Sequence, residues 1–592
     1  MIRLLAVFGI ALSAVAPSAF AQTKTMFPPV RGMHYMVGAA NNFEVEAGNR
    51  ILAAGGNAVD AGVATVLTAA VTEQSRFGLG GEMPLIVKMK GKPVEVVSGV
   101  GTAPAKATPE YYRSRKAEPF EEPNDFPPIP EHGLRAAVLP GALDGLILAL
   151  DRYGTLSFEQ VAAPAIEYAK GFPIGEEYAS FIRSGVRLLE TWPASKTFFL
   201  QGGAPPVRGT MFRQPTLAKT LQDLVDAEKK TRGNRGKKLK AVRDLFYKGD
   251  IAKRVAAFSE ANDGLITYDD LAKFEASIDK PVCTSYRGYE VCKPGFWSQG
   301  PVMVQALNIL EGYDLKSMGH NSVEYIHTVI EAAKLAFADR DRYYGDPKFS
   351  KIPAETLLSK DYASERRKLI DPNQASMEHR PGDFQPPLPM PGQTGATSAD
   401  NDTTCVNVVD RSGNIFSATP SGAWLPSVIA GDTGIPFSTR LQSFVLTDGH
   451  ANQLGPGKRP RITLSPTVVL KDGEPVFALS TPGGDNQDQA LLQTLLNLID
   501  FGMSAQEAVE APRVKTEHFY ASFAHHEFSP GKLGVESRIP VEISDKLAAM
   551  GHQVQRQGDW SNNSGPTVIR LLGDGILEGG ADPRRQRFIF GR

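Results

Sequence analysis

The chain has 592 residues, 42% hydrophobic and 22% charged, with a formal net charge of -1 at pH 7. Such a chain can bury a sizeable core. Its balanced charge argues against a basic nucleic-acid binder and against an acidic solvating protein.

The first element, MIRLLAVFGIALSAVAPSAFA, joins a short basic start, an apolar run from Leu4 to Ala16 and the small-x-small sequence Ala19-Phe20-Ala21, which predicts a signal peptide cut after Ala21. That run falls short of the about 20 residues a spanning helix needs. No later segment is apolar enough to span, so a soluble periplasmic or secreted protein without a membrane partner is expected. Residues 47–74 predict a helix start followed by a small-residue-rich helix, and the basic run 228–243 reads as a solvated helix and loop, with no nucleic-acid partner. Strands are predicted between 275 and 292 and at 404–419, 444–446, 465–470 and 475–480, and a helix at 322–344, giving a mixed α and β chain without repeats.

Within VCTSYRGYEVC, a two-residue turn at Arg287-Gly288 would set Cys283 opposite Cys292 at disulfide distance. An oxidising compartment allows the bond, and two reduced thiols remain compatible with the spacing. Cys405 is left over. The pair His525-His526 with Glu527 completes no zinc pattern and reads as a solvated loop; no metal or cofactor is expected. Nothing in the chain supplies a GxSxG elbow, a P-loop or a GxGxxG turn after a strand.

Residues 380–402, RPGDFQPPLPMPGQTGATSADND, hold five prolines and no apolar periodicity, and predict an exposed, extended linker. It ends at Asp402-Thr403 and enters a strand with no turn. A Thr-Thr pair opening a strand is ordinary. The chemical alternative is a cleavage site: a threonine hydroxyl attacks the preceding carbonyl, and water then frees a new amino terminus. Thr403 would own both a nucleophilic hydroxyl and an α-amine titrating near about 7.7 to 8.0, which serves as its general base.

The segments AAGGNAVDAGVA (53–64), APAKATPEYY (103–112), LAKTLQDL (217–224), GLITYDDLAKFEA (264–276), EAAKLAFADRDRYYGDP (331–347), LSPTVVLKDG (464–473) and STPGGDNQDQALLQTLLNLIDFG (480–502) resemble, in order and spacing, the gamma-glutamyltransferase family of N-terminal-nucleophile hydrolases. The resemblance implies an α+β fold of four αββα layers. It also implies self-cleavage between Asp402 and Thr403 into a large chain (22–402) and a small chain (403–592) that stay together as a heterodimer. It further implies an oxyanion hole at Gly483 and Gly484 and a supporting hydroxyl at Ser421, with a small-molecule amide as substrate.

The family's clamp for a γ-glutamyl head is missing. The arginine that holds the α-carboxylate maps to Val100, its two serines to Ile462 and Thr463, an asparagine to Ala423, and the acidic residue for the α-ammonium to Ser443. An unpaired buried ammonium or carboxylate costs several kcal/mol, so a non-glutamyl acyl group is expected. Arg440, in place of a neutral or acidic residue, suggests an anionic group on the substrate; Trp424 suggests a stacking wall, and Thr463 joins them as a candidate binding residue. From 434 to 502 the chain looks closer to acylase and amidohydrolase branches. Two alternatives stay open: a true γ-glutamyltransferase, and an unprocessed, inactive binding protein.

Overall fold

Two seven-stranded antiparallel sheets organise the chain in a computed structural model that describes residues 25–384, 388–392 and 403–592. The signal-peptide prediction and Asp402 lie outside the described residues. One sheet runs Val30–Gly32, Leu577–Ala581, Thr567–Leu571, Glu474–Ser480, Thr467–Lys471, Tyr289–Lys293, Val282–Tyr286. The other runs Phe588–Gly591, Met36–Ala39, Val406–Val409, Ile415–Ala418, Met83–Lys88, Val94–Gly99, Ser277–Asp279.

Strand periodicity sorts the core. Val406 and Val408 join an apolar cluster with helices Asn42–Ala53, Ala58–Thr72 and Ala142–Tyr153, whereas Val409 points into a cluster shared by both sheets. That shared cluster takes Val468, Ala478 and Ile569 from the first sheet and Met36, Ile86 and Ile415 from the second. On its other face the first sheet presents Val469, Phe477 and Val568 to helices Pro301–Leu310, Val323–Tyr343 and Gln487–Ile499.

Several expectations need correction. The helical stretch 47–74 is two helices, because Asn41 caps the first ahead of the expected start and Gly55, at φ +97°, ends it before Asn57 caps the second. The hairpin strands expected at 404–419 are present as Val406–Val409 and Ile415–Ala418 and need no correction. At 444–446 there is no strand: the turn Arg440–Ser443 leads into Val445, which makes only an isolated bridge with Gln453. The start of the linker is docked rather than extended into solvent, since Gly382 N donates to Asp339 (2.7 Å) and the Phe384 ring packs edge-on to Tyr343.

Cys283 and Cys292 face each other in register and are bonded, with S–S 2.07 Å, while Cys405 is free and buried. The turn between them uses positive φ at Arg287 and Gly288, as a two-residue hairpin requires. Among the described residues, no helix is long and apolar enough to cross a membrane.

Candidate active site

Thr403 stands just before strand Val406–Val409, where its backbone bridges Ser421, just past strand Ile415–Ala418. The hairpin is pinned by Asp410, whose carboxylate accepts from Ser412 N (2.8 Å), Asn414 N (3.1 Å) and the helix-terminal Ala58 N (2.9 Å). Ser421 in turn exchanges backbone hydrogen bonds with Glu82, at the entry to strand Met83–Lys88. Three strands thus deliver Thr403, Ser421 and Glu82 to one place.

The Thr403 hydroxyl is buried and lies 3.2 Å from Ser421 Oγ. Two donors converge on that same Ser421 oxygen: Trp424 Nε1 and Arg440 Nη2, each at 3.1 Å. The Arg440 guanidinium is fully buried, stacked 4.2 Å from the centre of the Trp424 ring, and paired through Nε with Glu82. Burial pushes Glu82 up and Arg440 down from their ordinary pKa values, each against the pull of its partner. Gly422 makes the pairing possible: a Cβ there would come within 2.1 Å of a Glu82 carboxylate oxygen, and its φ of +102° suits glycine.

On the other side, strand Glu474–Ser480 ends in Thr481-Pro482-Gly483-Gly484, which turns into helix Gln487–Ile499. Gly483 adopts φ +123°, and a Cβ on it would sit 3.1 Å from Ser564 Cα, so glycine is required twice over. Among the described residues, neither the Gly483 nor the Gly484 N–H has an acceptor. Both lie at the positive end of the helix, the arrangement that stabilises developing negative charge. Gln487, in the first turn, brings its carboxamide to Thr403 Oγ1 at 3.3 Å. The helix start is anchored by the fully buried pair Lys293–Asp488 (2.8 Å), with Ser465 Oγ donating to Asp488 at 2.9 Å.

A cleft of about 240 Å³ opens beside this turn, lined by Gly483, Gly484, Asn486, Phe519 and Phe523. Phe523 meets Trp424 edge-on at 5.5 Å, so the aromatic pair joins the cleft to Ser421. Lys515 and Lys532 also line it, both paired with Glu517, whose carboxyl they hold below its ordinary range against the effect of burial.

The structure brings Thr403, Ser421, Trp424 and Arg440 together and pairs the Arg440 charge internally. That guanidinium is compensated by Glu82 and does not line the cleft, so a free cation for a substrate anion is not what this position offers. The pair His525-His526 is buried rather than solvated: His526 bonds the carbonyls of Ala521 (2.9 Å) and Phe444 (3.0 Å). Gln487 and Glu82 were not singled out; Gln487 had a signal, since it falls four residues past Gly483 in the matched turn.

Of the positions expected to correspond to the clamp, Val100, Ile462 and Ala423 are apolar and Ser443 and Thr463 carry only hydroxyls. Val100 and Ile462 sit in the shared core with Trp297, Ala423 is fully buried, and the hydroxyls of Ser443 and Thr463 are buried without a partner among the described residues. Among the described residues, two His/Cys/acid groups have metal-compatible spacing. In one the sulfurs of Cys283 and Cys292 bond each other; in the other, His327, Glu331 and His552, the imidazoles bond each other at 2.9 Å and Glu331 already holds Lys334 and Arg380.

The geometry defines a hydrolase-type centre: a buried threonine hydroxyl, a hydroxyl beside it, and a glycine turn at a helix start. The family model described as gamma-glutamyltranspeptidase matches residues 45–591. The glutathione hydrolase proenzyme of Escherichia coli (strain K12) is 33% identical over 96% of this chain and 93% of its own length. The acylase ACY 1 proenzyme of Pseudomonas sp. (strain SE83) is 36% identical over 93% of this chain and 92% of its own. The crystal structure of a cephalosporin acylase from Bacillus halodurans superposes with a TM-score of 0.83 at 28% identity, covering 98% of this chain and 99% of that one. The chain belongs to the gamma-glutamyltranspeptidase family, and with it to the amide-cleaving enzymes of the N-terminal-nucleophile class.

Proposed function

We propose that the protein is a self-processing amidohydrolase that cleaves a non-glutamyl amide through an acyl ester on Thr403. The observation that carries this reading is the Thr403 hydroxyl seated between Ser421 and Gln487, beside the Gly483-Gly484 turn. In processing, Thr403 Oγ attacks the carbonyl carbon of Asp402, the C–N bond breaks, and the hydroxyl proton goes to the departing nitrogen. Water then hydrolyses the ester and leaves an α-amine on Thr403. In turnover that amine takes the hydroxyl proton as Oγ attacks the substrate amide and the oxyanion rests on the Gly483 and Gly484 N–H groups; collapse breaks the C–N bond, the departing amine takes the proton from the α-ammonium, and water then hydrolyses the ester to the free acid and the Thr403 hydroxyl. The three largest apolar clusters among the described residues, one of them drawn from both sheets, support a reading of four αββα layers. A signal peptide cut after Ala21 and a periplasmic or secreted location complete the reading.

Val100 and Ile462 pack with Trp297 in the shared core and offer no cation for a γ-glutamyl head, which supports a non-glutamyl substrate. Arg440 Nη1 and Thr463 Oγ1 are buried donors without a partner among the described residues. With its charge balanced by Glu82, Arg440 suits a neutral polar acceptor, such as a carbonyl, better than a free anion.

Wild-type protein is expected to run as two chains on a denaturing gel and Thr403→Ala as one. Glutathione and a γ-glutamyl anilide should be turned over at least about 100-fold less efficiently than the best amide from an acyl library, the factor expected when about 3 kcal/mol of head-group binding is absent. An intact wild-type chain would sink the processing reading. Efficient release of glutamate would sink the substrate reading and leave processing untouched.

A further inference from the structure

Hydroxyl networks can be directed by counting. A serine oxygen has two lone pairs and one proton. Both lone pairs of Ser421 Oγ are met by N–H donors, Trp424 Nε1 and Arg440 Nη2, neither of which can act as an acceptor. The 3.2 Å contact with Thr403 therefore runs from Ser421 to Thr403, and Ser421 donates.

The Gln487 carboxamide is directed the same way. It has two orientations that differ only in exchanging nitrogen and oxygen. One would turn its oxygen toward the carbonyl oxygens of Thr463 and Thr481, which are acceptors only. The other lets its nitrogen donate to both of them at 3.2 Å and turns its oxygen to Thr403 Oγ1 at 3.3 Å. Only the second satisfies every group, so Thr403 donates to Gln487.

We propose that Gln487 is a positioning residue that fixes the Thr403 hydroxyl for attack, working against a Ser421 proton directed by Trp424 and Arg440. Thr403 Oγ accepts a hydrogen bond from Ser421 and donates one to Gln487, which holds the hydroxyl rotamer until its proton leaves during the attack. Gln487 does not take the proton, because an amide oxygen is not a base at neutral pH. It holds the rotor. This inference rests on the reading of Thr403 as the nucleophile.

The charged groups near position 487 are already paired: Asp488 with Lys293, Asp485 with Arg340, Arg440 with Glu82. A carboxylate at 487 would meet the carbonyls of Thr463 and Thr481 with no cation to offset them. A protonated carboxyl would reproduce the amide, one oxygen accepting from Thr403 and the other donating to a carbonyl. The test is self-cleavage of purified precursor, in which Thr403 carries no free amine to confuse the titration. Gln487→Glu should cleave at least about tenfold more slowly than wild type at pH 8 and approach it at pH 5, while Gln487→Met should be slow at both. In processed protein Gln487→Met should lower kcat about tenfold or more and leave KM unchanged. A Gln487→Glu to wild-type ratio independent of pH overturns the proposal, as does wild-type cleavage by Gln487→Met should the charged variant fail to fold. If Thr403→Ala is also cut, the underlying nucleophile reading fails instead.

Discussion

Glu82 and Arg440 lie 358 positions apart and form a fully buried ion pair. A buried pair adds little over a well-packed apolar substitute, yet breaking one leaves an unmatched charge at a cost of about 3–5 kcal/mol. Glu82→Gln, which keeps the shape and removes the charge, is therefore expected to lower stability by that amount in denaturant unfolding, and to loosen Ser421 through Arg440. A loss under 1 kcal/mol would mean the guanidinium finds another partner. Arg440→Lys should not restore the site, because one ammonium cannot fork to Glu82 and Ser421 at once. A single sequence shows that position 440 carries a cation and hides the distant acid that balances it. Reading Arg440 as an anion receptor was the natural error of seeing one member of a pair.

Short-range elements were the most legible. The hairpin that joins Cys283 to Cys292 follows from a turn type and a count, both local. The break between the helices Asn42–Ala53 and Ala58–Thr72 was harder, since Gly55-Gly56 reads equally as a weak helix interior until the Asn57 cap is seen in place. The strand expected at 444–446 failed because its β-branched and aromatic residues are buried by packing against loops, without a ladder to join. The glycine turn before helix Gln487–Ile499 belongs to this scale too. Gly483→Ala must place a Cβ against Ser564 at φ +123°, so kcat should fall by about 100-fold or more as the N–H shifts from its aim, with a smaller effect on KM. An alanine variant with wild-type kcat would remove Gly483 from the oxyanion role.

Across the whole molecule, acid should be the weak point. Burial holds His450, His518 and His552 at about 3, below their ordinary value of 6.5. Unfolded histidines bind protons below about 6.5 and these folded ones do not until about 3, so stability present above 6.5 is lost as pH falls through that window. Each contributes a slope of about 1.4 kcal/mol per pH unit where only the unfolded form is protonated. Unfolding free energy measured from pH 7 to pH 4 should fall steeply, and His450→Gln should flatten the curve; an unchanged slope would show that His450 protonates in place. The family and the general plan of sheets and helices could be read along the chain. Burial of these histidines, like that of His525-His526, could not, because loops that fold inward carry no periodicity to reveal it.

The order of strands has a further consequence. Val406–Val409 lies between Met36–Ala39 and Ile415–Ala418, and Ile415–Ala418 lies beside Met83–Lys88, so segments from either side of residue 403 alternate within one sheet. The other sheet mixes them as well, with Thr467–Lys471 against Tyr289–Lys293. The proposed cut before Thr403 would therefore yield two polypeptides laced together by backbone ladders, which dilution would not separate. It also removes the tether that brought those strands together. The nicked protein would persist through slow unraveling, and once unraveled it would face a bimolecular search that the intact chain never met. With the proposed cut, heat inactivation would be a one-way event, and maturation a commitment made only after the chain had found its shape.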